Sequence, residues 1–219
     1  MSVYACSDIH GYLDAYKQIK AFLKPEDKVY FLGDAGDRGP DGWELIKTIY
    51  NDEQFIYIKG NHEDMLIKAI KENHDDLPLL YWNGGKNTYE AYALDTKENQ
   101  KKYLEKLKAL PKHETYYPVE SKNVLFLSHA GTTPGRPIFD EDDWLWDREH
   151  LYDEWISDRE DIFIIHGHTP VQNLNNGKEE IHTYCDGHKV NIDLGAFISN
   201  KLGILNLDTF EDCSIGLEV

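Results

Sequence analysis

Short apolar runs bounded by glycine, asparagine and aspartate recur along the chain, and in the first third they alternate with stretches of helical period. VYACS (3–7), KVYFLG (28–33) and QFIYIKG (54–60) are rich in β-branched and aromatic residues and read as buried strands. Leu13, Tyr16, Ile19, Phe22 and Leu23 keep helical spacing over 12–23, with Pro25 beyond the stop. Trp43, Leu45, Ile46, Ile49 and Tyr50 do the same over about 41–51, and Met65, Leu66, Ala69 and Ile70 open a third helix. Strand and helix alternating at this short spacing predict a parallel sheet with right-handed crossovers.

Residues 73–120 break that rhythm. They are rich in Lys, Glu, Asp and Tyr, and Tyr103, Leu104, Leu107 and Leu110, closed by Pro111, are helical in period. This stretch is expected to be an α-rich insertion with a solvated, charge-alternating face and little strand, with YWNGG (81–85) as a turn. Strands then return at 123–128, 161–167, 180–185, 189–197 and 201–207, joined by Gly/Asn turns and antiparallel in part. That many extended segments predict two packed sheets with helices outside. No repeat or linker divides the 219 residues, so one domain over 1–219 is expected.

Composition narrows the function classes. The apolar and charged fractions, 41% and 29%, are those of a globular protein, and no window approaches the roughly 18 apolar residues of a membrane span. No secretory signal opens the chain, and Cys6, Cys185 and Cys213 lack paired spacing, so free thiols in the cytoplasm are expected. The net charge of −17 argues against a nucleic-acid partner, and no membrane partner is expected. Only four arginines, at 38, 136, 148 and 159, can grip a phosphate with a planar fork.

The chemistry collects where strands end. Asp8 and His10 follow the first strand, Asp34 the second, Asn61 the third, and His129 and His168 two later ones. Ligands of open α/β sheets bind beyond the carboxyl ends of strands. If these ends share an edge, they deliver imidazoles, carboxylates and an amide oxygen without thiolate, a set suited to Mn²⁺, Fe or Zn²⁺ more than Ca²⁺. Six donors exceed one four-coordinate site, so two divalent ions bridged by a carboxylate are expected, with Asp34 the bridging candidate. Manganese is placed first among them.

DIHG (8–11), GDAGDRGP (33–40), GNHE (60–63), HAG (129–131) and HGHTP (166–170) occur in the order and spacing of the calcineurin-like metallophosphoesterases. RGP, GNHE and WDR (146–148), with NGG (83–85) and IDLGAF (192–197), resemble the phosphoprotein phosphatase branch and its compact bacterial and phage serine/threonine phosphatases. The resemblance implies a four-layer α/β/β/α fold with two mixed sheets flanked by helices. By motif position it puts Asp8, His10 and Asp34 on one metal, and Asp34, Asn61, His129 and His168 on the other. It makes His62 the general acid with Asp37 as its carboxylate, and Arg38 and Arg148 the phosphate grips. Lys59 stands where the family usually has arginine, which implies a looser hold there. Glu63 and His166 are read as structural.

The activity implied is phosphomonoester hydrolysis by a water activated between two metals, on a phosphoprotein or a small phosphorylated molecule. A serine/threonine protein phosphatase is the first reading, and a symmetrical dinucleoside tetraphosphatase is the alternative on the same site. A nuclease or cyclic phosphodiesterase fits less well, because Pro170 stands where those enzymes typically carry a further histidine. An inactive metal-binding module would be expected to have lost His62, Asp37 or a ligand, and all are present.

Overall fold

The computed structural model describes residues 1–71, 76–134, 143–155 and 158–217. Strands β1 (Val3–Cys6), β2 (Lys28–Phe31) and β3 (Phe55–Tyr57) alternate with helices α1 (Leu13–Phe22), α2 (Gly42–Asn51) and α3 (Asn61–Lys71). Helices α4 (Leu77–Trp82), α5 (Lys86–Leu94) and α6 (Lys97–Lys108) follow, then β4 (His113–Tyr116), β5 (Val124–Ser128) and α7 (Asp143–Trp146). The chain closes with β6 (Ile162–His166), β7 (His182–Tyr184), β8 (Lys189–Asn191), α8 (Ala196–Ser199), β9 (Lys201–Asn206) and β10 (Asp212–Gly216).

Two five-stranded mixed sheets result, in the orders β10-β9-β1-β2-β3 and β4-β5-β6-β8-β7. In the first, β1, β2 and β3 run parallel, as alternation with helices requires, and the β9–β10 hairpin adds antiparallel to β1. In the second, β5, β6 and β8 are parallel with antiparallel edges.

Strand alternation sorts the core into two layers. Val3, Ala5, Leu32 and Ile58 of the first sheet meet Leu125, Leu127, Ile165 and Val190 of the second. On the other face Cys6, Val29 and Phe31 pack beneath Ile19, Trp43, Ile46, Met65 and Leu66 of α1–α3. The expected insertion joins that same layer through Leu80, Tyr103 and Leu107, so its charged face has an apolar reverse. The outer face of the second sheet is covered in part by α7, whose Trp144 meets Phe126 and His113.

Two extended segments depart from expectation. The run 189–197 is strand only over Lys189–Asn191; Gly195 then takes a left-handed φ of 64° and α8 begins. The edge strand β10 escapes notice because its exposed sequence, DCSIG, carries too few apolar residues to announce a strand. The loop TTPGRP and the acidic run DEDDW lie partly outside the described residues.

Candidate active site

The parallel strands of both sheets aim their carboxyl ends at one place, and each strand is followed by a turn that re-aims its side chains. Those turns are strained. Asp8, His10, Asp34, Asp37, Arg38 and His168 all have φ between 52° and 70°, the left-handed region that L residues avoid. Glycine supplies the room: a Cβ at Gly60 would collide with Asp34 Oδ1, and one at Gly167 with Asp8 Oδ2.

Asp34 stands at the centre. Its Oδ2 lies 3.8 Å from His10 Nε2, 3.8 Å from His62 Nε2 and 3.3 Å from His129 Nε2. His10 Nε2 is 3.8 Å from Asp8 Oδ1 as well. His129 Nε2 lies 2.7 Å from Asn61 Oδ1 and 3.1 Å from His168 Nδ1, which is itself 3.0 Å from Asn61 Oδ1. Two groups of possible ligand atoms, His10–Asp34–His62 and Asp8–Asp34–His129, each converge within 4.8 Å, and Asp34 belongs to both.

Hydrogen bonding on the far side of each ring says what these atoms need. His129 Nδ1 donates to the Leu32 carbonyl at 2.7 Å, and His10 Nδ1 to that of Gly36 at 3.1 Å. In a neutral ring each Nε2 then turns a lone pair toward carboxylate and amide oxygens that are also acceptors. Such a group of inward lone pairs calls for a proton or a cation, and backbone-anchored imidazoles are the usual way of presenting a metal ligand. Burial opposes a charge on His129, yet Asp34 outweighs it and raises the pKa to about 10, so a proton and a cation compete for this position. Burial also favours a proton on Asp34, but His129 and His62 hold its carboxyl well below the usual range. His10 is pushed down by burial, His62 and Arg38, and His168 by burial, His129 and Arg148, which leaves both rings neutral and able to ligate. The donor set therefore fits two divalent cations sharing Asp34.

His62 opens α3, its backbone N–H donating to Asp34 Oδ1 at 3.0 Å, and its Nδ1–H donates to Asp37 Oδ2 at 2.6 Å. Burial works against the imidazolium, but Asp34 and the Asp37 hydrogen bond win and raise its pKa. Arg38 lies beside it, Nη2 being 3.4 Å from His62 Nε2, with its guanidinium 3.9 Å over the Phe197 ring. Arg148 reaches solvent near the same centre: partial burial depresses its pKa, Asp34 and Asp8 act to raise it, and Arg38 to lower it.

Lys59 is buried, and its ammonium donates to the Lys108 carbonyl at 3.0 Å. It lines an open hollow of about 400 Å³ with Lys108, Lys112, His113 and Trp144, none of them among the ligand set. His166 turns away from the centre, as the alternation along β6 requires, its Nε2 2.8 Å from Tyr184 Oη; burial takes its pKa down to about 3.

Several supporting residues hold these groups in place. Glu63 accepts four hydrogen bonds, from Asp34 N, Ala35 N, Gly60 N and Tyr57 Oη at 2.8–2.9 Å, and so fixes the turn that carries Asp34. Thr88 of α5 accepts from Asp37 N at 2.9 Å, and the Gly84 carbonyl accepts from Arg38 N at 2.9 Å. The insertion thus braces the turn that carries Asp37 and Arg38. Asp193, buried after β8, is pushed up by burial and by Asp8, and its Oδ1 accepts from Gly195 N at 2.8 Å. Glu63 lies in GNHE, Gly84 in NGG, and Asp193 and Phe197 in IDLGAF, whereas Thr88 lies in none of these stretches.

Comparison with known proteins agrees with this geometry. Residues 1–195 match the calcineurin-like phosphoesterase family. The asymmetrical bis(5'-nucleosyl)-tetraphosphatase PrpE of Oceanobacillus iheyensis is 25% identical over 92% of this chain and 87% of its own. A symmetrical bis(5'-nucleosyl)-tetraphosphatase of Buchnera aphidicola is 33% identical, but over 61% of this chain and 46% of its own, so this chain spans under half of that relative. Among solved structures, a metallophosphoesterase from Sphaerobacter thermophilus superimposes with a TM-score of 0.58 over 100% of this chain and 89% of its own, at 18% identity.

Proposed function

The chain belongs to the calcineurin-like phosphoesterases and is a phosphate-ester hydrolase; from that premise we propose that it hydrolyses a small polyphosphorylated molecule, a dinucleoside polyphosphate foremost, using two divalent cations. The observation that carries the reading is the sharing of Asp34 between two ligand clusters. Asp8, His10 and Asp34 would hold one cation, and Asp34, Asn61, His129 and His168 the other. Bound there, two cations would supply Lewis-acid charge stabilisation and a nucleophilic water at neutral pH, with manganese first among the candidates.

The chain's own residues do the rest. His62, kept protonated by Asp34 and Asp37, gives its proton to the leaving oxygen. Arg38, set by the Phe197 face and the Gly84 carbonyl, and Arg148 hold the phosphoryl oxygens as charge gathers on them. Lys59, committed to the Lys108 carbonyl, contributes charge at a distance and not a direct grip.

Likeness along nearly the whole chain to a relative named as a bis(5'-nucleosyl)-tetraphosphatase supports this choice of substrate. A serine/threonine protein phosphatase is the second reading, favoured by the GDRGP, GNHE and WDR set. The test is a side-by-side assay with Mn²⁺ on diadenosine tetraphosphate and a phosphoserine peptide, with products separated. Release of ATP with AMP, or of ADP alone, at a kcat/KM at least about a hundredfold above that on the peptide supports the dinucleotide reading. The opposite ratio transfers the assignment to phosphoproteins, and no metal-dependent turnover of either overturns both.

A further inference from the structure

Lys189 is the charged residue least expected where it lies. It occupies the start of β8, paired with Ile164 of β6 and Tyr184 of β7, and is 0% exposed. Burying an ammonium is costly unless it is met by acceptors. Its Nζ donates to Thr133 Oγ1 at 2.7 Å and to the His150 carbonyl at 2.6 Å, partners 56 and 39 residues away in sequence.

These partners mark the two ends of one excursion of the chain. Thr133 stands four residues after His129, and His150 two residues after Arg148. The two segments are tied again where Ala130 N donates to the Trp144 carbonyl at 2.8 Å. The His150 ring packs so closely under Gly131 that a Cβ there would come within 2.7 Å of it, and it meets His166 edge-on at 4.9 Å. Leu151 N donates back to the Arg148 carbonyl at 3.3 Å, so the backbone at 148 is tied directly to the segment that Lys189 holds. An apolar side chain in place of Lys189 could fill the space but could not join the segments at Thr133 and His150.

We propose that Lys189 is a positioning residue for Arg148: its buried ammonium clips both ends of the 129–150 excursion and thereby sets the guanidinium against the phosphoryl group. The inference rests on the phosphate-gripping role assigned above to Arg148. A clip of this kind acts on binding of the phosphoryl group, without touching the ligands or the proton donor.

The full chain, loaded with Mn²⁺, is assayed on p-nitrophenyl phosphate with inorganic phosphate as competitive inhibitor, for wild type, K189M, R148A and the double variant. K189M is expected to weaken phosphate inhibition and raise KM on the order of tenfold, with the pH profile unchanged. Added to R148A, it should cost nothing further in either quantity, since both act through one guanidinium. T133V, which removes one acceptor and keeps the shape, should shift both in the same direction by a smaller factor; if K189M does not fold, that variant decides. Unchanged phosphate inhibition in folded K189M, or effects additive with those of R148A, would overturn the proposal. Unchanged inhibition in R148A itself would remove the phosphate role of Arg148, a different failure with a different signature.

Discussion

His62 matters to the extent that the departing oxygen needs a proton. A serine alkoxide is strongly basic and cannot leave unaided, whereas a nucleotide phosphate leaves as a stable anion. His62→Asn, which keeps a donor near Asp37 but has no transferable proton, should therefore lower kcat on a phosphoserine peptide by roughly 10²–10⁴. Turnover of diadenosine tetraphosphate should fall far less; equal losses on both would show that His62 acts otherwise than as the acid. The pH dependence has a definite sign. Because the folded-state pKa of His62 is raised, the protonated form extends to higher pH than in a free imidazole, and the alkoxide reaction should decline as pH rises through that elevated value. The peptide pH–rate profile checks this. At this scale the residues that converge at the strand ends were readable, since Asp, His and Asn recur directly after the apolar runs. Thr88 and Lys189 were not, because a hydroxyl on a helix and a lysine opening a strand look like ordinary surface until the chain folds over them.

Asp95 shows how the elements around the site are held. At the junction of α5 and α6 it accepts from Trp43 Nε1 at 2.8 Å, Lys47 Nζ at 3.2 Å and Asn99 Nδ2 at 2.9 Å, and so ties α2 to the insertion. Hydrogen bonds from Asn99 and Trp43 hold its carboxyl below the usual range. A depressed carboxylate contributes stability that is complete above its unfolded pKa of about 3.9 and is lost as pH falls from there through the folded value. Asp95→Asn should thus cost about 1–3 kcal/mol in urea unfolding at pH 7. The gap from wild type should narrow steadily below about pH 4; a constant gap would mean the charge has no part in it. Helices α1–α3 and α6 were legible from their apolar stripes. Helix α5 was harder to delimit, with Thr88 as its buried residue and aromatics spread round its surface. The error at 189–197 has a similar cause, because an alternating run gives no warning of the left-handed turn at Gly195.

For the molecule as a whole, the cluster of buried carboxyl groups is the dominant fact. Asp8, Asp34, Asp37, Glu63 and Asp193 are each under 4% exposed in a chain of net charge −17. Each cation that binds only the folded form should stabilise it by about 2.7 kcal/mol at a hundred times its Kd. For a chain of this size, two such ions supplied as Mn²⁺ after EDTA treatment should raise Tm by roughly 10–20 °C. Asp34→Asn should abolish most of that rise, and an undiminished rise in the variant would place the ions elsewhere. Among the described residues no helix is long and apolar enough to cross a membrane.

The two sheets, lastly, behave like the jaws of a caliper. Asp8, Asp34 and Asn61 belong to one jaw, His129 and His168 to the other, and a layer of mainly aliphatic side chains lies between the sheets. The gap between ligands is therefore gauged by packing several residues away from any of them. A methyl group added to or taken from that layer would alter the bite of the site while every side chain around it kept its identity.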